Sequence, residues 1–396
     1  MHLVHLELEE FRLYRKLSLD LHPGGLVIVG DNASGKSSLL ESIAMLATMR
    51  SPAASSDRQL INWRSGQDLG VPGYARVIGT IERGDGELGI ELAISIDPSS
   101  NQLKKAIKIN GRAMRVLDAV GAFNVVPFTP DDVTLTSGSP SPRRRYLDVL
   151  ISQLSRPYLQ SLAHYQRILE QRNSLLRQLV REPGGNLVAA VNRLEFWDRE
   201  LVAHGSRVTA HRIRTTIMLS RQASERFAGF ASAGVLTLAY EPNVAAELIV
   251  SGAAERSVDQ IEAEVAVRFT RQIEERRQDE MRRGVSLVGP HRDDFTLLLD
   301  DVKVGTFGSR GQQRLCVIAL KLAEATLMAE QQSDAPVILL DDVLSELDPV
   351  NRGLLLNYLS QLGSQVIVTA ADPAMIDTTD LAALPRVSTR GGTIAA

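Results

Sequence analysis

The run Gly30-Asp31-Asn32-Ala33-Ser34-Gly35-Lys36-Ser37 has the spacing G-x-x-x-x-G-K-[ST]. Glycines in such a run let the backbone wrap closely, so that successive N–H groups point at phosphate oxygens. A helix N-terminus behind them adds partial positive charge. Lys36 is placed to reach β- and γ-phosphates and Ser37 to ligate Mg²⁺, with Gly30 through Gly35 and Ser38 completing the cradle. The alternative, a glycine-rich turn carrying a surface lysine, is weakened by the flanks. Leu26-Val27-Ile28-Val29 reads as a buried strand, and Ser38-Leu39-Leu40-Glu41-Ser42-Ile43 opens a helix. Val337-Ile338-Leu339-Leu340-Asp341-Asp342 supplies the complement. Asp341 is expected to hold the metal, and Asp342 to position or deprotonate an attacking water. Two acids ending a strand are common; paired with a lysine loop they predict binding and hydrolysis of ATP with Mg²⁺.

Phe307-Gly308-Ser309-Arg310-Gly311-Gln312-Gln313-Arg314 leads into another helix, and serine, glycine and a helix N-terminus make a second anion site. It resembles the L-S-G-G-Q signature of ABC-type ATPases, with Arg310 replacing a glycine. Ser345-Glu346-Leu347-Asp348 resembles their D-loop. This resemblance implies that Ser309, Arg310, Gly311 and Gln312 touch the γ-phosphate of a nucleotide held by a second copy. It also implies that Ser345 and Asp348 cross the same seam, so that the site closes in an ATP-dependent homodimer. Two departures stand out. Thr369, in Val368-Thr369-Ala370-Ala371, stands where that superfamily places a histidine on the γ-phosphate, and is taken as its catalytic replacement beside Lys36 and Asp342. Residues 129–132 occupy the place of the glutamine that links the lobes. Asp342 is one methylene shorter than the usual glutamate, which predicts slow hydrolysis; turnover well above about 10 s⁻¹ contradicts this.

These residues need a scaffold. Residues 1–110 read mainly as strands, with hairpin signals at Gly84-Asp85-Gly86 and Asn110-Gly111, and residues 124–128 as one more buried strand. Ser139-Pro140-Ser141-Pro142 reads as a loop, after which the pattern turns helical. Leu154, Tyr158, Leu162, Tyr165 and Leu169 recur at helical spacing, as do Leu194, Trp197 and Leu201, and Ile261, Val265, Phe269 and Ile273. Pro183-Gly184-Gly185 marks a break between helices, and residues 239–242 a short strand and turn. Strands return after Gly284, with a hairpin at Asp300-Asp301, a helix over 312–331, and buried strands at 337–340 and 365–369. The predicted class is α/β: an ABC-type P-loop ATPase lobe with mixed sheets, interrupted by a mostly helical insertion of roughly 140 residues, longer than any ordinary loop. The boundaries read as 1–139, 140–284 and 285–396.

The resemblance narrows to the RecF family, a branch of the SMC-like ABC ATPases. It rests on Leu8 through Tyr14 with Glu9-Glu10-Phe11-Arg12, on Phe128-Thr129-Pro130-Asp131-Asp132 with Gly138-Ser139-Pro140, and on Arg143-Arg144-Arg145-Tyr146-Leu147-Asp148. Gln171-Arg172-Asn173-Ser174-Leu175-Leu176 and Val288-Gly289-Pro290-His291-Arg292-Asp293-Asp294 extend it across nearly the whole chain. The resemblance implies an ATP-dependent clamp of DNA replication and recombinational repair. Such proteins dimerise on ATP, bind double-stranded and gapped DNA, and act with RecR and RecO in loading RecA. It also implies a slow, DNA-stimulated ATPase.

Net charge is −3 over 396 residues, so nucleic acid would have to meet a local patch. The candidates are Lys104, Lys105 and Lys108, then Arg143, Arg144 and Arg145, with Arg282-Arg283, Arg64 and Arg76 as further cations. Two readings stand for Arg143–Arg145: a phosphate contact, or a helix face paired with carboxylates such as Asp148. No aromatic interleaves these runs, which favours duplex phosphates over unpaired bases. His291 and Arg292 are placed to hold a carboxylate of the core or of the closing seam. The single Cys316 sits in an apolar run and reads as core. No signal peptide and no membrane-length apolar run is seen, which predicts a cytoplasmic protein without a membrane partner. A transporter energy subunit is disfavoured by the insertion and the missing histidine. A long-armed SMC protein is disfavoured by the breaks at Pro183 and Pro242, and a nuclease-tailed ATPase by the short remainder after Thr369. A non-transport ABC-type nucleotide switch acting through a protein partner remains the alternative.

Overall fold

The computed structural model describes the chain except at residues 68–69, 182–186, 231–233, 245–255, 333, 373–375, 377–379 and 396. The expected break at Pro183-Gly184-Gly185 lies outside the described residues. The chain begins with β1 (His2–Phe11), β2 (Tyr14–Asp20), β3 (Gly25–Val29) and α1 (Lys36–Thr48). There follow β4 (Tyr74–Arg83), β5 (Gly86–Ile96), β6 (Leu103–Ile109), β7 (Arg112–Met114) and β8 (Val125–Phe128). Long helices come next: α2 (Pro140–Leu154), α3 (Arg156–Val180), α4 (Leu187–Gly229) and, after β9 (Leu236–Glu241), α5 (Val258–Arg283). The chain continues through β10 (Asp294–Leu299), β11 (Val302–Lys303), α6 (Arg310–Gln331), β12 (Val337–Asp341), α7 (Pro349–Leu362), β13 (Val366–Ala370), β14 (Arg386–Arg390) and β15 (Thr393–Ala395).

Two compact units result. The first comprises Met1–Asp132, Gly229–Ser232 and Lys321–Ala396. It holds two six-stranded sheets, an antiparallel one in the order β2-β1-β4-β5-β6-β7 and a mostly parallel one in the order β15-β14-β3-β13-β12-β8. Helix α1 packs against β4 and β5 of one sheet and β8, β12 and β13 of the other. That position explains why Leu39, Leu40, Ile43, Ala44, Met45, Leu46 and Ala47 are all buried: a helix enclosed on both sides needs apolar residues around its whole circumference. Leu6 and Leu8, on alternate positions of β1, enter the same core, and a register shift between Leu3 and His5 lets Leu3 join them.

The second unit comprises Val133–Ala228 and Ala233–Leu320. It contains α2 to α5, the three-stranded sheet β11-β10-β9 and the start of α6. Its extent differs from the 140–284 insertion read from the sequence. Strand β9, inside that stretch, pairs with β10 beyond it, with Tyr240 opposite Phe295, so the strands after Gly284 belong with the insertion. Ser139-Pro140-Ser141-Pro142 is likewise not a loop. Ser139 is the N-cap of α2 and Pro140 its first residue, a position where the missing proline N–H costs nothing. Helix α5 starts with a capping box between Ser257 and Gln260 and ends at left-handed Gly284. Arg172 is fully buried among Asp198, Glu280 and Ser286, and Arg212 among Asp148, Asp293 and the carbonyl of Pro290. Cys316 is buried, as expected, and burial pushes its thiol up to about 12.

Candidate nucleotide site

Parallel strands place their carboxyl ends together, and loops leaving those ends meet there. In the first unit β13 lies between β3 and β12, with Val29 opposite Ala370 and Asp341 opposite Thr369. The loop after β3 therefore emerges beside the acid end of β12. Gly35, at φ 115°, turns the chain into α1. The Lys36 ammonium donates to the carbonyls of Gly30 (2.5 Å) and Asp31 (2.9 Å), inside its own loop. Ser37 donates to Asp341 Oδ1 at 3.0 Å. A hydroxyl and a carboxylate oxygen thus converge, and both are the hard donors that suit Mg²⁺. Among the described residues no cluster of three or more His, Cys, Asp or Glu could hold a metal by itself.

Thr369, expected to stand in for the γ-phosphate histidine, is fully buried beside the acid turn. Its hydroxyl donates to Asp341 Oδ1 at 2.9 Å and accepts the Asp342 N–H at 2.9 Å. Asp342 is in the left-handed region at φ 54°, a costly conformation for aspartate, and that hydrogen bond helps hold it there. Ser345 donates to the Asp342 carbonyl at 2.7 Å, tightening the same turn. Thr369 is thus a positioning residue for both acids.

Several supports escaped the sequence reading. Ser34 and Thr389 share a hydroxyl–hydroxyl hydrogen bond of 2.6 Å, and the Gly392 N–H reaches the Ser34 carbonyl. A Cβ on Gly30 would lie 2.6 Å from the Thr389 carbonyl, so this glycine is demanded by the approach of β14. Tyr14 donates to the Gly35 carbonyl at 3.0 Å, and burial pushes its phenol up to about 12. Arg12 clasps the buried Glu41 of α1 with two bonds of 2.8 and 2.9 Å. Glu41 is the one acid of α1, inside its run of buried apolar residues, and that was the available signal for the pair. Asp132, in the loop expected to replace the lobe-linking glutamine, accepts the Thr129 N–H at 2.7 Å, and burial raises its carboxyl above the usual range.

The signature residues lie in the second unit. Ser309 and Gln312 exchange two hydrogen bonds, backbone N–H to side chain each way, forming a capping box at the start of α6. Ser309, Arg310, Gly311 and Gln312 are all exposed. Asp348 caps α7, accepting the N–H groups of Val350 and Asn351 at 3.0 Å, and these bonds hold its carboxyl below the usual range.

The candidate DNA contacts divide. Arg143 is buried and bidentate to Asp294, and Arg144 donates to the Asp293 carbonyl, so both serve the fold of the second unit. Arg145 is exposed. Lys104 is 69% exposed beside Asp97, while Lys105 pairs with Asp57 and donates to the Met49 carbonyl. His291 accepts from Tyr165 and donates to the Ser286 carbonyl, which Arg292 also contacts; among the described residues of this copy neither is paired with a carboxylate.

A family model described as the RecF/RecN/SMC N-terminal domain matches residues 2–394. The chain is 43% identical over 382 residues to the DNA replication and repair protein RecF of Thermomicrobium roseum, covering 96% of each. It is 42% identical over 381 residues to that of Roseiflexus castenholzii, covering 93% of each. A solved structure described as the recombination mediator protein RecF with ATP in the RecFOR pathway matches with TM-score 0.83 at 28% identity, covering 100% of this chain and 97% of that one. An SMC head bound to the C-winged helix domain of ScpA, 18% identical, shares the fold with TM-score 0.52, covering 100% of this chain and 96% of that one.

Proposed function

This chain belongs to the RecF family of ABC-type ATPases, and on that footing we propose that it is an ATP-dependent DNA-binding clamp of recombinational repair. The observation that carries the reading is the meeting of Ser37 and Asp341 at 3.0 Å beside a loop that already curls around Lys36. Lys36, Ser37 and Asp341 hold ATP with Mg²⁺. The metal supplies charge neutralisation between the phosphates. Asp342 orients the attacking water. Ser309 and Gly311 of a second copy close on the γ-phosphate, with Ser345 and Asp348 near that seam. Phosphate charge met by two helix N-termini and a lysine biases the pair of copies toward closure. The closed dimer binds double-stranded DNA near gaps and acts with RecR and RecO to help load RecA. Slow hydrolysis, stimulated by DNA, removes the bridging phosphate and releases the clamp. Its place of work on this reading is the cytoplasm, where the DNA is. Among the described residues no helix is long and apolar enough to cross a membrane.

Sedimentation at fixed concentration, with and without ATP–Mg²⁺ and a gapped duplex, tests this. A monomer alone, a dimer with ATP, and that dimer travelling with DNA are the expected results. ATP binding without any dimer would sink the composite site and leave a nucleotide switch acting through a protein partner. Ser309→Arg is expected to leave ATP binding to the single copy nearly intact and abolish the dimer; equal loss of both refutes closure by a second copy.

A further inference from the structure

One end of the antiparallel sheet in the first unit gathers residues that the nucleotide site does not use. Lys105, on β6, donates to the Met49 carbonyl and pairs with Asp57 at 2.8 Å, which ties β6 to the segment after α1. Arg58 of that segment donates to Asn101 at 3.3 Å, in the turn between β5 and β6. Ser65 exchanges hydrogen bonds of 2.8 and 2.9 Å with the backbone of Tyr74, which lies opposite Ser95 in the sheet. Residues 57–66 therefore run along the end where β4 begins and β5 finishes.

The charges there do not balance. Asp57 and Asp97 are matched by Lys105 and Lys104. Arg50, Arg58 and Arg64 are exposed and, among the described residues, have no carboxylate partner, in a chain whose net charge is −3. Next to Arg64 stands Trp63, 66% exposed. An indole in water is unfavourable, and Gln67, whose amide donates to the Trp63 carbonyl at 3.0 Å, is exposed and polar. Cations without counter-charge suit phosphates, and an exposed aromatic face next to Arg64 suits a nucleobase. Inside a duplex every base face is already stacked. A free face exists where pairing stops.

Resting on the DNA-clamp reading, we propose that this end of the sheet is the junction-reading surface: Arg50, Arg58 and Arg64 meet duplex phosphates, and Trp63 stacks on the first unpaired base of a gap. The expectation of duplex phosphates alone, drawn from the sequence, is thereby extended. Trp63 stands apart from the lysine pairs in sequence and joins them only in the fold.

The chain has two tryptophans, so Trp197→Phe leaves Trp63 as the sole indole reporter. With ATP–Mg²⁺ present, a gapped duplex is expected to quench its emission and a blunt duplex is not. Trp63→Ala is expected to weaken gapped-duplex binding ~10-fold and to bring it level with blunt duplex, with Trp63→Phe retaining most of the preference. Arg58→Glu with Arg64→Glu is expected to weaken both DNAs and flatten the salt dependence. ATP-driven dimerisation, measured alongside, is expected to be unchanged in every variant. Equal quenching by both duplexes, or quenching by an acidic peptide but not by DNA, overturns the junction assignment. Full DNA binding by both the charge-reversed and Trp63→Ala proteins overturns this surface while leaving the clamp reading standing. Failure of the unmodified dimer to bind any DNA removes that reading itself.

Discussion

Thr369→Val keeps the volume and branching of a fully buried side chain and deletes its hydroxyl. Two interactions go. The bond to the Asp341 carboxylate is charge-assisted, a kind worth about 1.5–3 kcal/mol. The Asp342 N–H loses its acceptor, and because Asp342 is half-buried and water can reach it, that loss falls at the low end of about 1–3 kcal/mol. Asp341 is then free to turn away from Ser37. If the first quantity is what the oriented carboxylate contributes to metal-nucleotide binding, the Mg²⁺ concentration for half-maximal hydrolysis rises roughly 10- to 100-fold, at about 1.4 kcal/mol per decade. Asp342 loses its hold on the left-handed turn, so turnover at saturating Mg²⁺ falls as well. The assay is ATP hydrolysis across a Mg²⁺ titration for the wild type, Thr369→Val and Thr369→Ser, with metal-free nucleotide binding as control. Serine is expected to restore the metal dependence and valine to leave metal-free binding intact. A valine variant with wild-type Mg²⁺ dependence refutes the positioning role. A lowered melting temperature with no shift in the Mg²⁺ midpoint does so too, by reducing Thr369 to a packing residue.

Other expectations follow from the same geometry. Gly30→Ala forces a methyl against the Thr389 carbonyl at 2.6 Å; overpacking of about 1–3 kcal/mol should weaken ATP binding by roughly tenfold, and unchanged affinity refutes the close approach. Glu41→Gln leaves Arg12 without its counter-charge, and since Arg12 is only partly buried the loss should lie near about 3 kcal/mol, read from urea unfolding without nucleotide. Burial pushes His291 down to about 4, against about 6.5 when unfolded. A depressed histidine is neutral in the fold, so stability is complete above about 6.5 and is lost as pH falls toward 4, by about 3 kcal/mol. Urea midpoints between those values should show the slope in the wild type and lose it in His291→Asn.

What could be read in the sequence was local. Strand, loop and helix around residues 26–43 announce themselves because each residue's role depends on its near neighbours, and the same holds for Asp341 and for the Gly84-Asp85-Gly86 hairpin. Roles set by distant partners were hidden. Thr369 stands out in the sequence only as the residue at a histidine's usual place; its bonds to Asp341 and Asp342 depend on the register that sets it opposite Asp341, which no local pattern shows. The three arginines at 143–145 left two readings open, and only the arrival of Asp294 on β10 decides for Arg143. The insertion was drawn too short because pairing between β9 and β10 leaves no mark in either strand alone.

The order of strands in the parallel sheet also bears on biosynthesis. Strand β3 leaves the ribosome long before both its neighbours, β13 and β14, and the Ser34–Thr389 bond closes across 355 residues of sequence. A nascent chain thus carries its complete lysine loop, until β13 and β14 are made, on a strand with two open edges, which invites wrong pairing. Folding of the first unit waits for those strands, a long-range closure that is intrinsically slow. A stalled or truncated product would hold the loop sequence and yet have no scaffold with which to grip a nucleotide. Competence to bind ATP therefore arrives late in synthesis, after the signature helix has already been made.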